Sequence, residues 1–146
     1  MTSGALDELA DLYRDLHAHP ELSFAETRTA GIVAERLRAL GFAVTEGVGG
    51  TGVVGVLKRG DGPTVLMRAD MDALPVREET GLDYASCATG VDADGHEVPV
   101  MHACGHDMHV TALIGALRAL AADASWSRRI LAVFQPAKEK GAGARA

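Results

Sequence analysis

The sequence is poor in several residue types whose abundance would identify particular classes of protein. Of its 146 residues, 4% are aromatic, two are cysteines and five are prolines. Two cysteines are too few for the disulfide framework of a small secreted domain. Basic residues are also outnumbered, since 14 Lys and Arg stand against 20 Asp and Glu. The formal charge of −6 argues against a protein that binds nucleic acid through a basic surface.

Long apolar runs are missing as well, although 47% of the residues are hydrophobic. No stretch reaches the roughly 18 apolar residues that a membrane span requires. Residues 1–10 carry two acidic and no basic side chains, which is unlike a secretory signal peptide. The length suits one compact domain. We therefore expect a cytoplasmic protein with neither membrane nor nucleic-acid partners.

Apolar side chains at helical spacing predict three helices. They cover residues 6–16, a segment from about 23 to 41, and a segment that starts at 107. Ser23 and Glu26 have the spacing of a capping box, and Gly41 stands where a C-cap glycine belongs. Asp107 is available as the N-cap of the third helix.

Short apolar runs predict strands, of which the first three are bounded by Gly or Pro. These runs are residues 42–45, 51–58, 64–67 and 129–134. The last run is apolar throughout, which is typical of a strand covered on both faces. Residues 77–99 have no clear period and are predicted to be mostly loop. This order of elements predicts an α/β fold with a mixed, mostly parallel sheet flanked by helices.

Thiol, imidazole and carboxylate groups are concentrated in residues 101–109, just before the third predicted helix. Cys104 and His106 are separated by a glycine, so both can turn toward one cation, and Zn²⁺ accepts such sulfur and nitrogen ligands. The alternative is that Cys104 is a small buried side chain and that His106 caps the helix. His109 lies inside the helix, where it either neighbours the metal ligands or is solvated.

Acidic residues follow two of the predicted strands. Asp70 and Asp72 come after the third strand and face the same side of an extended backbone. Ligands of open α/β sheets bind at this end, and one of the two acids could orient a metal-bound imidazole. Glu139 follows the last strand and could reach a metal held by Cys104 and His106. The alternatives are an acidic loop that ends a strand and an exposed charge cluster in a turn.

His17 and His19 form a third pair of candidate ligands, directly before Pro20. Spaced histidines can bind a metal. A His-Pro sequence after a helix more often marks a helix stop followed by a turn, and we favour that interpretation here.

Four segments together carry a resemblance that none of them carries alone. In chain order they are LHAHPELSF at 16–24, RADMDALP at 68–75, MHACGHD at 101–107 and FQPA at 134–137. The chain resembles the aminoacylase/carboxypeptidase family of metallopeptidases. It is most similar to the amidohydrolase clade, which includes hippurate hydrolases, N-acyl amino acid amidohydrolases and auxin-conjugate hydrolases. The resemblance covers essentially all of the sequence.

The resemblance implies a hydrolase with two metal ions, Zn²⁺ or Mn²⁺, that cleaves an N-acyl amino acid to an acid and an amine. Motif matching makes Cys104, His106 and Glu139 metal ligands. It makes Asp72 the acid that supports the metal site. It also implies a zinc-peptidase-like catalytic domain, and a homodimer in full-length relatives through a lid domain that is absent here.

The sequence departs from the family pattern in two places. Two adjacent glutamates follow the Phe-Gln-Pro-Ala motif in the family, the first being the general base, and Lys138 occupies that position here. A protonated ammonium cannot accept a proton from water. Family members are also much longer, with further histidine ligands and the lid domain. We therefore expect residues 1–146 to be the N-terminal portion of the catalytic domain, inactive alone.

Two other interpretations stay open at this point. The chain could be a non-catalytic metal-binding or interaction module that a partner chain completes. It could also be a decayed gene product without a selected function. The sequence does not separate a decayed product from a fragment of an enzyme.

Overall fold

The structure is a computed structural model that describes residues 3–145. In that range the chain forms three helices and six strands. They are α1 (Ser3–Ala18), α2 (Thr27–Ala39), β1 (Ala43–Val48), β2 (Gly52–Arg59), β3 (Thr64–Asp70), β4 (Thr89–Val91), β5 (Glu97–Pro99), α3 (His106–Ala122) and β6 (Arg128–Gln135).

Helix α2 begins at Thr27 rather than near Ser23, because the expected capping-box residues have other partners. The Ser23 hydroxyl donates a hydrogen bond of 2.7 Å to Asp72. Glu26 occupies the N-cap without a side-chain capping bond. The carboxylate of Glu21 instead accepts hydrogen bonds from two backbone N–H groups of the first turn, each 2.8 Å long. The predicted capping box is therefore wrong, and Glu21 accepts the hydrogen bonds from the first turn instead.

The other predicted helix ends have different outcomes. Gly41 follows α2 with a φ of +84°, a left-handed conformation that favours glycine, so the predicted C-cap glycine is confirmed. Helix α3 begins at His106 with Gly105 as its N-cap, so the prediction of Asp107 as N-cap is wrong. Asp107 lies in the first turn because its carboxylate binds His17, with Oδ2 of Asp107 2.6 Å from Nδ1 of His17.

The main sheet has the strand order β1-β2-β6-β3. The mixed α/β class is confirmed, but β1–β2 and β2–β6 are antiparallel and only β3–β6 is parallel among the described strands. The expectation of a mostly parallel sheet is therefore wrong. Tight turns join β1 to β2 and β2 to β3, and such turns reverse the chain. Only the connection from β3 to β6 contains the crossover helix, α3, that a parallel pair requires.

The three helices and the sheet enclose one hydrophobic core. In β6, Ile130, Ala132 and Phe134 are buried, whereas Leu131 and Val133 between them are half-buried. The prediction of a strand covered on both faces therefore holds fully for one face, because the alternate residues point to a less covered face. Residues 77–99, predicted as mostly loop, contain the short antiparallel pair β4–β5.

Candidate metal centre

The parallel pair β3–β6 brings the candidate site together. Asp70 pairs with Gln135, so the segments that leave the two strands begin side by side at one edge of the sheet. The backbone N–H of Met71 donates to the carbonyl of Gln135 at 3.1 Å, which continues this alignment past the strands. Helix α3 begins at the same edge and presents His106. Three segments distant in sequence therefore converge on one place.

His106 is buried and has a fixed orientation. Its Nδ1 donates a 2.7 Å hydrogen bond to the backbone carbonyl of Asp72. In the neutral ring the lone pair is then on Nε2, which faces Oε1 of Glu139 at 3.4 Å and Oδ2 of Asp70 at 3.8 Å. Burial alone lowers the pKa of His106, but the contacts with Asp72 and the charge of Asp70 outweigh burial and raise it. The site therefore attracts a positive species to Nε2.

Asp72 connects the three segments. Its buried carboxylate accepts hydrogen bonds through Oδ2 from the Ser23 hydroxyl at 2.7 Å and from the backbone N–H of Glu139 at 2.8 Å. Its Oδ1 is 3.2 Å from Nδ1 of His106. Burial raises the pKa of Asp72, but the hydrogen bonds from His106, Ser23 and Glu139 lower it to about 2. The ionised carboxylate thus holds both His106 and Glu139 in place.

The residues present fit a divalent cation. Nε2 of His106 faces carboxylate oxygens of Asp70 and Glu139, none of which carries a hydrogen to share when ionised. Without a cation the lone pairs of these atoms repel one another. A cation bound between them would accept these lone pairs and remove the repulsion. The 3.4 Å between Nε2 and Oε1 of Glu139 also matches the separation of about 3.4 Å that two ligands have on a tetrahedral ion with bonds of about 2.0–2.2 Å.

One group of donor atoms around His106 includes two residues that the motifs did not single out as ligands. Asp70, His106 and His109 each offer an atom within 4.8 Å of the others. Nδ1 of His109 is 3.8 Å from Oδ2 of Asp70, and the ring of His109 is half-exposed. Arg68 pairs with the other oxygen of Asp70 at 2.5 Å. His109 is one helical turn after His106, and that spacing is the signal in the sequence.

Cys104 lies in the turn before α3 and is exposed, so the alternative of a small buried side chain is wrong. Slight burial, then the charge of Glu139 and a hydrogen bond to it, raise the pKa of the Cys104 thiol, while Lys138 opposes them. The sulfur is outside the tight group of Asp70, His106 and His109.

Lys138 and Glu139 lie in the turn after β6. Nζ of Lys138 is 2.9 Å from Oε1 of Glu139, and the hydrogen bond raises the pKa of Lys138. The side chain of Glu139 is 18% exposed, which excludes the alternative of a fully exposed charge cluster. The position that matches the family's general base therefore carries an ammonium group bound to the next residue.

Glu26 supports this turn, and its role was missed because the local pattern suggested a helix cap. Its fully buried carboxylate accepts a 2.8 Å hydrogen bond from the backbone N–H of Ala137 and another from the Thr51 hydroxyl. Ala137 has a φ of +49°, which is unusual for a residue with a Cβ. The hydrogen bond from Ala137 to Glu26 stabilises this conformation and so positions Glu139.

His17 and His19 have different environments, and neither belongs to the donor group around His106. His19 is exposed, and α1 ends at Ala18, so the predicted helix stop is confirmed. His17 is buried between Asp107 at 2.6 Å and Glu78 at 3.0 Å. Burial lowers the pKa of His17, but the bonds to Glu78 and Asp107 prevail and raise it.

His102 completes the buried polar groups near the site. Neither ring nitrogen has a hydrogen-bond partner among the described residues, and the ring is almost fully buried. Burial lowers the pKa of His102 to about 4. The ring is therefore neutral near pH 7.

A small cavity of about 240 Å³ opens beside Glu139. Its wall is largely apolar and includes Leu22, Ala25, Leu74 and Pro75. The cavity combines an apolar wall with the charged residues Asp92, Glu139 and Lys140, an arrangement that suits a small ligand with both apolar and polar parts. Separately, none of the described helices has the length and apolar character needed to cross a membrane.

Known proteins resemble this chain in sequence. Thermostable carboxypeptidase 1 of Saccharolobus solfataricus is 46% identical over 138 residues, which are 92% of this chain and 33% of that protein. Hippurate hydrolase of Campylobacter jejuni is 43% identical over 140 residues, which are 95% of this chain and 34% of that protein. The chain thus spans about a third of the length of these relatives.

A solved structure resembles the fold. The YXEP protein of Bacillus subtilis, described as a dinuclear metal binding peptidase from the M20 family, matches with a TM-score of 0.86 and 36% identity. The match covers 99% of this chain and 39% of that one. A sequence profile of peptidase family M20/M25/M40 matches residues 66–146, more than half of the chain. The chain belongs to this family of metal-dependent hydrolases that act on amide bonds.

Proposed function

We propose that residues 1–146 form the N-terminal portion of the catalytic domain of an amidohydrolase that uses metal-activated water to cleave N-acyl amino acids. The observation that carries this proposal is the convergence of His106 and Glu139, with Nε2 and Oε1 3.4 Å apart, at the carboxyl ends of β3 and β6. Ligands of α/β sheets bind at such ends. The dinuclear metal binding peptidase that shares the fold supports the same assignment.

Cys104, His106 and Glu139 would hold the metal, and Asp72 would position two of them. A bound Zn²⁺ or Mn²⁺ supplies Lewis acidity, which polarises an amide carbonyl and makes water a nucleophile near neutral pH. The backbone carbonyl of Asp72 accepts the Nδ1 proton of His106, which directs that proton inward. The carboxylate of Asp72 accepts a hydrogen bond from the backbone N–H of Glu139. A thiolate and an imidazole suit Zn²⁺, and the carboxylate also suits Mn²⁺. A complete two-metal centre needs more ligands than these three.

The cavity beside Glu139 and the names of the relatives support a substrate class. The apolar wall at Leu22, Ala25 and Leu74 suits an acyl group or an apolar side chain. Hippurate hydrolase and N-acetyl-L-cysteine deacetylase are named for N-acyl amino acids. We therefore assign an N-acyl amino acid as the substrate of the complete enzyme.

Lys138 makes this chain a poor catalyst by itself. Its ammonium is bound to Glu139 at 2.9 Å and has no lone pair with which to accept a proton. The chain also spans only about a third of the relatives. We therefore propose that it binds metal but does not hydrolyse amides alone.

Equilibrium dialysis of the 146-residue chain against Zn²⁺ or Mn²⁺ tests the metal site. We expect saturable binding that Glu139→Gln weakens and His106→Ala abolishes. His19→Ala removes an exposed histidine just after α1 and is the matched control. Binding that is unchanged in Glu139→Gln and His106→Ala would contradict the proposed ligands.

The catalytic part has its own test in the same samples. Release of glycine from N-benzoylglycine should not exceed the rate of metal-containing buffer. Robust turnover that is lost in His106→Ala would support the proposed metal site. The same result would refute the proposal that the chain alone is inactive.

A further inference from the structure

One oxygen atom of Glu139 is shared between Lys138 and the candidate metal centre. Nζ of Lys138 is 2.9 Å from Oε1 of Glu139, and Nε2 of His106 is 3.4 Å from the same Oε1. The second contact defines the place where a divalent ion would bridge His106 and Glu139. The ammonium therefore already neutralises the oxygen that such an ion would use.

The turn keeps the ammonium at this position while leaving it partly in water. The backbone N–H of Gly141 donates to the carbonyl of Lys138 at 2.8 Å, and Glu26 holds the preceding residue, Ala137. The side chain of Lys138 is 43% exposed. Its ammonium contacts Oε1 of Glu139 at 2.9 Å. Such a partly exposed ion pair can be displaced at modest cost.

We propose that Lys138 acts as an internal counter-cation that competes with the divalent metal for Glu139 and weakens metal binding at this centre. The inference rests on the proposed function, because it assumes the ligand set given there. A divalent ion must either displace the ammonium from Oε1 or bind beside a like charge, and both alternatives oppose binding. Half-occupancy of the site then requires a higher free metal concentration than in a chain without this lysine.

The charge of the side chain at position 138, rather than its shape, should decide the affinity for Zn²⁺. Lys138→Gln keeps a long polar side chain but removes the positive charge, and we expect it to tighten Zn²⁺ binding by about tenfold. Lys138→Arg keeps the charge and should bind Zn²⁺ as weakly as the original chain. Lys140 is exposed, two positions further along, and makes no ion pair within the part of the chain that the structure describes. Lys140→Gln is thus the control for a general loss of charge.

Isothermal titration of the full 146-residue chain with Zn²⁺ tests the proposal, with the dissociation constant as readout. Circular dichroism without metal first establishes that each variant is folded. Tighter binding by Lys138→Gln alone supports competition by the ammonium. Equal affinity in Lys138→Gln and the original chain overturns the inference, as does equal tightening in Lys140→Gln.

The failure of the inference and of the proposed function can be told apart. If Zn²⁺ binds, His106→Ala abolishes binding and Lys138→Gln changes nothing, the metal site stands and the competition is refuted. If neither the original chain nor Lys138→Gln binds Zn²⁺, the proposed ligand set fails and the inference fails with it.

Discussion

At the scale of single residues, Asp72 decides whether the candidate site keeps its shape. Its carboxylate accepts a hydrogen bond from the Ser23 hydroxyl, in the segment before α2. It accepts another from the backbone N–H of Glu139, in the turn after β6. Its other oxygen is 3.2 Å from His106 at the start of α3. The contacts belong to one buried anion, so a loss of charge weakens all of them together.

Asp72→Asn should therefore lower the free energy of unfolding by about 2 kcal/mol, because bonds to a buried charged acceptor become bonds to a neutral one. Urea unfolding followed by circular dichroism at pH 7 measures the change. Asp94→Asn, at an exposed position in the β4–β5 turn, is the control and should stay within about 0.5 kcal/mol. Equal stability of Asp72→Asn and the original chain would refute the central role of Asp72.

His17 predicts a pH dependence of stability. The pKa of His17 is raised in the folded chain, because the bonds to Glu78 and Asp107 outweigh the opposing effect of burial. Protonated His17 then stabilises the fold fully below its unfolded pKa of about 6.5, and this contribution disappears as the pH rises through the folded pKa. Tyr13 and Tyr84 pack against the same ring.

The destabilisation caused by His17→Gln should consequently be largest near pH 6 and smaller near pH 8. Urea midpoints at several pH values give the difference between the variant and the original chain. His19→Gln changes an exposed residue and should alter stability by less than about 0.5 kcal/mol. A difference for His17→Gln that is constant with pH would show that protonation of His17 does not stabilise the fold.

The sequence predicted some of these residues and not others for a physical reason. Cys104, His106 and Glu139 belong to short motifs, and the chain folds so that His106 and Glu139 approach each other. The partners of His17 and Ala137 come from segments 61 to 111 positions away, so no local pattern reports them. Ser23 and Glu26 had a plausible local role, which the tertiary contacts replaced.

At the scale of secondary-structure elements, two glycines show how tightly the elements are joined. Gly52 begins β2, and a Cβ there would lie 2.2 Å from the backbone oxygen of Val48 and 3.0 Å from Pro136. The β1–β2 hairpin and the start of the turn that carries Glu139 would both have to shift. Gly31 lies inside α2, where a Cβ would meet no atom within 4 Å.

Alanine should therefore have opposite effects at these two glycines. Gly52→Ala should cost about 2 kcal/mol through overpacking, whereas Gly31→Ala should stabilise by about 0.5–1 kcal/mol through the better helix propensity of alanine. Thermal and urea unfolding of the two variants measure the sign of each change in the free energy of unfolding. A neutral Gly52→Ala would mean that the hairpin and the turn are less closely packed than described.

Elements were predicted better than their arrangement. The helical periodicity of α1 and α3 and the short apolar strands depend on local patterning, so their positions are close to those observed. Strand direction depends on the turns between strands and on where a later strand inserts. Because β6 inserts between β2 and β3, it pairs antiparallel with one and parallel with the other, which a list of elements does not reveal.

At the scale of the whole molecule, β3 is the edge strand nearest the site. It lies at one end of the order β1-β2-β6-β3. Val65 and Leu66 of this strand are 39% and 59% exposed. An exposed apolar edge with unpaired backbone groups favours pairing with another chain.

The 146-residue chain should accordingly self-associate as its concentration rises, and Leu66→Lys should reduce association by placing a charge on the edge. Sedimentation velocity over a range of concentrations measures both effects. Leu6→Lys changes an equally exposed leucine, at 53%, on α1 and is the matched control. A monomeric original chain at all concentrations, or equal effects of both lysines, would refute an associating β3 edge.

The central claim, that Cys104, His106 and Glu139 form a metal centre, has its most direct test in the zinc X-ray absorption spectrum of the chain. We predict one sulfur ligand at about 2.3 Å and nitrogen and oxygen ligands at about 2.0–2.2 Å. The sulfur contribution should disappear in Cys104→Ser and the imidazole scattering in His106→Ala. A spectrum with only nitrogen and oxygen ligands that neither variant changes would contradict the metal centre.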